Sequence, residues 1–594
     1  MKVTLIVSAL SLCLLMGGFN YLIHKHNDIL ELPMDALVVD STGLHPASYT
    51  QKSFYEGIEQ LDYIDMIPEA ISGGIVSHHL LAREDIAKFF AEFRSQTVDT
   101  VVLVSPNHYT IGDAGVITSK TGFTTPYGNI EINKDVVESL VSSKIAFEDN
   151  ELFKHEHSVG ALTPYIAYNF PEADIVPLVV RQDVKRKQLD DLLESVESVL
   201  PENTIVIASV DFSHHLNRVA TEFHDVTSVS AIMDFDYDRV FQTEIDSPAS
   251  IYFLLQYLEN RDAMQMDYIN KNSTDYTGNF ATEDATSYVF AHFTSGKKNN
   301  LATAATSLHF GDMMFDREIK NILEDGGDIF EEIKGRQGNF LSGVDVTVGN
   351  LEGVISTSTE CREDKEVLLQ FETSIANLLS KYNFSGVNLA NNHTGDCFES
   401  GIKQTQDTLQ NNGLFFLGSE KGDGYEIVDV GSESIALVGV NEVTRWQNDI
   451  KETLSLIEKL SDEHDSVVVH VHWGLEFDNS PSEEQRSLAH QLVDAGAEVI
   501  IGHHPHVVQD VEMYNGKIIF YSLGNFIFDQ VLPGTTNGFA VGLVHEEGVT
   551  GGVIFPYKIN DYKPRLLQYG DMSEYCTQIL TGVDRVAECG FVIK

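Results

Sequence analysis

VVVHVHWGLEF, Val467–Phe477, is the stretch from which the rest of the chain can be read. An apolar, β-branched run closes on His472 and passes into a glycine turn. Two stretches downstream repeat the pattern. VIIGHHPHVVQ, 499–509, carries His503, His504 and His506, and IIFYSLGNFIFD, 518–529, carries Asn525. Short β-branched runs that end in polar clusters read as strands finishing where loops begin. In an open α/β sheet the carboxyl ends of strands are where sites are built. Three more such ends lie upstream. LHFGDMMFD places Asp312, VTVGNLEG places Asn350 and Glu352, and VNLANNHTGD places Asn391, Asn392 and His393. One His after a strand is ordinarily a satisfied loop residue. Six strand ends carrying Asp, Asn, Glu or His point to a metal site. Imidazoles with no Cys partner suit Zn, Mn or Fe.

The 594 residues are too many for one core, so two or three domains are expected. Lys plus Arg number 39 and Asp plus Glu 89, a net charge of −50. That balance argues against nucleic acid as a partner, because phosphate backbones require a basic footprint. Five Cys include no CxxC pair and no zinc-ribbon spacing. Cys361–Cys397 and Cys576–Cys589 are conceivable pairs in an oxidising compartment. Val3–Ile23 is an uncharged apolar run of 21 residues, enough to cross a bilayer. It reads as an uncleaved N-terminal transmembrane helix rather than a cleaved signal peptide. The localisation that follows is the cell membrane, single-pass, with the bulk of the chain extracytoplasmic.

Strand-like and helix-like runs alternate between residues 55 and 295, which predicts βαβ units and a largely parallel sheet. Polar clusters again follow the strands. GGIVSHHLLA gives His78 and His79, VVLVSPNHYT gives His108, KHEHSVG gives His155, Glu156 and His157, and IVIASVDFSHH gives Asp211, His214 and His215. Four such clusters predict a shared pocket. TSGKKNNLATAAT, 294–306, is small and polar and marks a boundary. The layout is an N-terminal segment 1–26, a first domain 55–295, a linker 296–306 and a second domain 307–575. Both domains read as α/β. Glu318–Lys334 is expected to be helical, and edge strands and turns are expected after residue 560.

GDMMFDR, NLEG, LANNHTGD, HWG, GHHPHV and SLGNFIFD, in that order, resemble the CapA family over residues 305–560. That resemblance implies a calcineurin-like metallophosphoesterase-type α/β sandwich and a link to poly-gamma-glutamate capsule synthesis. Carried over motif by motif, it implies Asp312, Glu352, Asn392, His504 and His506 as metal ligands, with His393 and His472 as catalytic residues. The cofactor implied is a divalent metal, Mn, Zn or Fe. One position departs from the calcineurin-like Asp-x-His motif: Asp312-Met313-Met314 lacks the His. This speaks against a full two-metal site, since Met is a poor ligand for a hard centre.

The first domain resembles the Memo family, called AmmeMemoRadiSam system protein B in bacteria, through the four His clusters and TGFTTPYGNIEI. This implies a fold similar to extradiol dioxygenases. It also implies His78, His108, His157, Asp211 and His214 as ligands of Fe or another transition metal. The family's late Cys is absent; Glu283 and Asp284 in NFATEDATSYVFAHF stand in its region. Gly160 replaces the family's acidic residue. The two resemblances together imply a membrane-anchored protein of capsule-polymer synthesis or export. It would act by metal-dependent hydrolysis, with the synthesis and export machinery as partners. The alternative is a non-catalytic metal- or partner-binding module of the AmmeMemoRadiSam system protein B type.

Overall fold

The computed structural model describes residues 43–593 apart from 60–68, 111, 113, 300–302, 335–339, 419–423, 445–449 and 587–588. Ile71–Val76, Thr204–Ser209, Thr100–Pro106 and Asp174–Val180 run parallel, in that order, at the centre of a nine-stranded sheet. Thr100–Pro106, TVVLVSP, is buried throughout. An unbroken apolar run is what a parallel strand covered on both faces requires. Ala285–Thr294 flanks Ile71–Val76 in the antiparallel sense. The helix Pro248–Glu259 packs across three of these strands.

Downstream, two sheets stack. The ten-stranded sheet holds Gly386–Asn388, Val346–Leu351, Ala305–Met313 and Asn537–His545 as neighbours. The six-stranded sheet holds Glu433–Asn441, Ser466–His472, Val499–His503 and Lys517–Phe520. Val467, Val469 and Val471 belong to the core under the outer helices, whereas Val468 belongs to the core between the sheets. This alternation is the pleat at work: neighbouring residues face opposite sides. It leaves His470 and His472 facing the opposing sheet. Ser482 caps the helix Glu483–Asp494, which joins two of the His-bearing strands; its Oγ accepts the Gln485 N–H at 3.2 Å.

One helix ties the two halves together. Arg218–Met233 lies against the first sheet and also packs on Ala305–Met313 and Val549–Asn560. Leu216, Ala220 and Phe223 at its start join the second core. Arg239 Nε donates to Asp345 Oδ1 at 2.7 Å and its NH2 group to Oδ2 at 2.8 Å, a buried two-pronged pair across the seam.

Several expectations are corrected. No helix among the described residues is long and apolar enough to cross a membrane. The longest, Arg218–Met233, has 16 residues, short of the ~20 a bilayer demands. The transmembrane helix expected over Val3–Ile23 lies outside the described residues. With no such helix among the described residues, the single-pass reading and the cell-membrane placement are not retained. The helix expected over Glu318–Lys334 is Arg317–Glu324 instead, because Gly326 takes a left-handed φ of 79° just beyond it. After residue 560 the chain forms a helix, Tyr569–Ile579, besides short strands. Disulfides join Cys361 to Cys397 and Cys576 to Cys589.

Candidate metal centres

In the second half the strand ends converge. Asp312 is the last residue but one of Ala305–Met313, Glu352 follows Val346–Leu351, and His472 ends Ser466–His472. His504 and His506 sit in the turn after Val499–His503, with φ of 96° and 59°. Left-handed backbone at a non-glycine residue costs energy and collects at functional sites. Asp312, Glu352 and His472 present donor atoms within 4.8 Å of one another, and so do Glu352, His504 and His506. Glu352 belongs to both groups.

The surroundings fix these groups. Asn350 Nδ2 donates to Asp312 Oδ1 at 2.8 Å, and the His504 N–H donates to Oδ2 at 3.2 Å. His506 Nδ1 stands 3.1 Å from Asp312 Oδ2 and 2.9 Å from Asn525 Oδ1. His506 Nε2 lies 3.6 Å from Glu352 Oε1. His472 Nε2 faces Asn392 Oδ1 at 2.9 Å, so Asn392 touches a proposed ligand. Burial pulls Asp312 upward, but His503 and His506 outweigh it and hold the carboxylate ionised. Burial pushes Glu352 up, and brings His504 down to about 4.

Glu352 Oε2 and His504 Nδ1 are buried with no hydrogen-bond partner. Buried polar atoms are normally paired, so these fit a cation between them. His472 lies among the ligand groups rather than beside them. His393 stands at their edge, its Nε2 4.0 Å from Glu352 Oε1 and its Nδ1 2.8 Å from Asp396 Oδ2. Lys365 Nζ donates to Asp396 Oδ1 at 2.6 Å and so fixes that orienting carboxylate. Met314, at the position of the missing His, is buried, and its sulfur accepts the Asp316 N–H at 3.0 Å.

The first half builds a second cluster. His78, His108 and His157 bring donor atoms within 4.8 Å of one another. His108 Nδ1 lies 2.8 Å from Glu156 Oε1, which also accepts the Ser158 N–H at 3.1 Å. A carboxylate behind an imidazole fixes its tautomer, as metal-binding His residues require. Asp211 Oδ2 stands 3.6 Å from His78 Nε2, and Oδ1 accepts the Ser77 hydroxyl at 2.6 Å.

Sequence reasoning missed Asp246. Its Oδ2 lies 3.5 Å from His108 Nε2 and 3.6 Å from His78 Nε2, and neither of its buried oxygens has a hydrogen-bond partner. Burial works against charge on His108, yet Asp246 and Glu156 push it up to about 10; burial takes His78 down to about 3. His214 uses its backbone N–H on Glu244 Oε1 at 3.0 Å and lies outside the three-His group. Glu283 and Asp284 are not in the cluster: Glu283 Oε1 accepts the Tyr569 N–H at 2.7 Å, and Asp284 Oδ1 meets His215 Nδ1 at 2.6 Å. The carboxylate that faces His78 and His108 is instead Asp246, which the loop before Pro248–Glu259 carries inward.

Residues 306–530 match the family model of bacterial capsule synthesis protein PGA_cap. The PGA biosynthesis protein CapA of Bacillus subtilis is 32% identical over 279 residues, covering 43% of this chain and 71% of that protein. This chain belongs to the PGA_cap family. The capsule biosynthesis protein CapA of Bacillus anthracis is 30% identical over 43% of this chain and 67% of its own length. Residues 76–288 match the model of Memo-like protein. A MEMO1 family protein of Pyrobaculum aerophilum is 33% identical over 149 residues, 24% of this chain and 52% of that protein. The chain is therefore a fusion of a Memo-like half and a PGA_cap half, and it spans about half the length of that MEMO1 relative.

Proposed function

We propose that the chain serves the synthesis or export of a poly-gamma-glutamate type capsule polymer, and that its PGA_cap half is a metal-dependent hydrolase. The two CapA relatives, by their names, support the first part. The second rests on one observation: Asp312, Glu352, His472, His504 and His506 converge in the core with unpaired atoms left on Glu352 and His504. A divalent ion, Mn, Zn or Fe, held there supplies Lewis-acid chemistry towards a phosphoester or similar bond. Asp312 carries a charge that a cation needs, and Glu352, which burial pushes up, would add its own on ionising beside one. His393, oriented by Asp396, holds its Nε2 towards the centre, where it can give a proton to a leaving oxygen. The machinery of polymer synthesis and export is the partner class this reading implies.

A second reading concerns the Memo-like half. It is a binding module for Fe or another transition metal, supported by Asp246 facing His78 and His108 with both oxygens unpaired. Two His and one carboxylate are a donor set suited to Fe(II).

The test is the full chain assayed with bis(p-nitrophenyl) phosphate and Mn²⁺, with bound metal measured in parallel. His393→Ala is expected to keep its metal and lose its rate by a factor of about 10²–10⁴. Metal bound with no turnover by the parent chain would sink the hydrolase and leave a binding protein. An unchanged rate in His393→Ala would remove that residue from the mechanism.

A further inference from the structure

The PGA_cap half carries imidazoles that neither metal group uses. His309, His470, His503 and His545 are enclosed in the core, at most 1% exposed. Their partners form one unbranched series. Ser466 Oγ lies 2.9 Å from His545 Nδ1, and His545 Nε2 lies 2.7 Å from Ser307 Oγ. Ser307 Oγ lies 2.8 Å from His309 Nε2, and His309 Nδ1 lies 3.0 Å from His470 Nε2. His470 Nδ1 lies 3.0 Å from His503 Nε2. His503 Nδ1 then faces Asp312 Oδ1 at 3.5 Å, a contact too long and too poorly aligned for a full hydrogen bond. Ser307, His309 and His545 come from the ten-stranded sheet; Ser466, His470 and His503 come from the six-stranded one. The series therefore crosses the core between the sheets.

A neutral imidazole has one N–H and one bare nitrogen, and a hydroxyl has one O–H. Ser307 Oγ could accept from both neighbouring rings, but its O–H would then be left over, so every donor inside the series finds an acceptor in only two ways, with all donors pointing one way or all the other. A mixed arrangement strands a buried donor or acceptor, which folded proteins avoid. A carboxylate accepts only, so its end selects the direction.

We propose that Ser466, His545, Ser307, His309, His470 and His503 form a one-directional hydrogen-bonded relay whose last N–H, on His503 Nδ1, points at the Asp312 carboxylate from behind the metal centre. They are positioning residues, since each acts on the site through the next. Burial lowers His309 and His545 to about 3, which keeps those two rings neutral. The link to metal rests on reading Asp312 as a ligand; the direction of the relay does not.

The test is ¹⁵N-histidine spectroscopy of the full chain. The N–H is expected on Nδ1 of His309, His470 and His503 and on Nε2 of His545. The reversed set, or doubly protonated rings, would overturn the relay. Ser307→Ala cuts it without touching a ligand. That variant is expected to mix the tautomers of His309 and His470 and to weaken Mn²⁺ binding by about 10–100-fold. Ser307→Thr, which keeps the hydroxyl, should restore both. Unchanged tautomers and Mn²⁺ binding in Ser307→Ala would overturn the proposal. The expected pattern in a parent chain that binds no Mn²⁺ would uphold the relay and remove the metal reading.

Discussion

Asp246 approaches His108 from the side opposite Glu156: its Oδ2 is 3.5 Å from Nε2, while Glu156 Oε1 is 2.8 Å from Nδ1. One imidazole is thus gripped by a carboxylate at each nitrogen, and only Glu156 is itself hydrogen-bonded. Glu156 therefore orients the ring and Asp246 is left for a cation. Asp246→Asn is expected to lower iron affinity of the full chain by at least the ~10–100-fold typical of lesser, outer-shell changes. Iron content after dialysis measures this, and equal iron in variant and parent would exclude Asp246 as a ligand.

Glu352 is the member common to both ligand groups of the PGA_cap half. Glu352→Gln removes one charge from both at once. Its Mn²⁺ affinity is expected to fall further than that of His504→Ala or His472→Ala. Calorimetric titration of the three variants gives the order; a smaller loss for Glu352→Gln than for either His variant would contradict the shared role.

The Arg239–Asp345 pair is buried at the seam between the halves. Removing one partner leaves a buried charge uncompensated, which costs about 3–5 kcal/mol. Arg239→Ala is expected to lower the urea midpoint. It should also expose the seam to proteolysis before either core unfolds. Midpoint and cleavage pattern equal to the parent's would show that the pair is neutral.

Stability should fall on mild acidification. His309 and His545 are lowered by burial to about 3 in the fold, against 6.5 when unfolded. Between these values the unfolded chain binds more protons, so their contribution is present above 6.5 and is lost as pH falls towards 3. The slope is about 1.4 kcal/mol per pH unit per group. Urea melts at pH 7 and pH 5 measure it, and His545→Gln should flatten the dependence; a slope unaltered by that variant would assign the acid sensitivity elsewhere.

The sequence by itself determined the family, the α/β class of both halves and the strand ends that carry polar residues. These are local facts: a β-branched run followed by a polar cluster needs no tertiary contact to be recognised. His78, His108 and His157, or Asp312, Glu352 and His472, stand out for that reason. Only the tertiary structure decided which of them meet. Asp246 precedes a helix, in TEIDSPAS, with no strand before it to mark it, and it reaches His78 and His108 through the path of a loop. Glu283 and Asp284 looked suitable by type and lie in the wrong place for the same reason. His309, His470 and His545 occupy positions inside strands, where the pattern reads as core. That they form one series depends on the stacking of two sheets, because the pleat sets which face a residue takes and only packing sets what it faces.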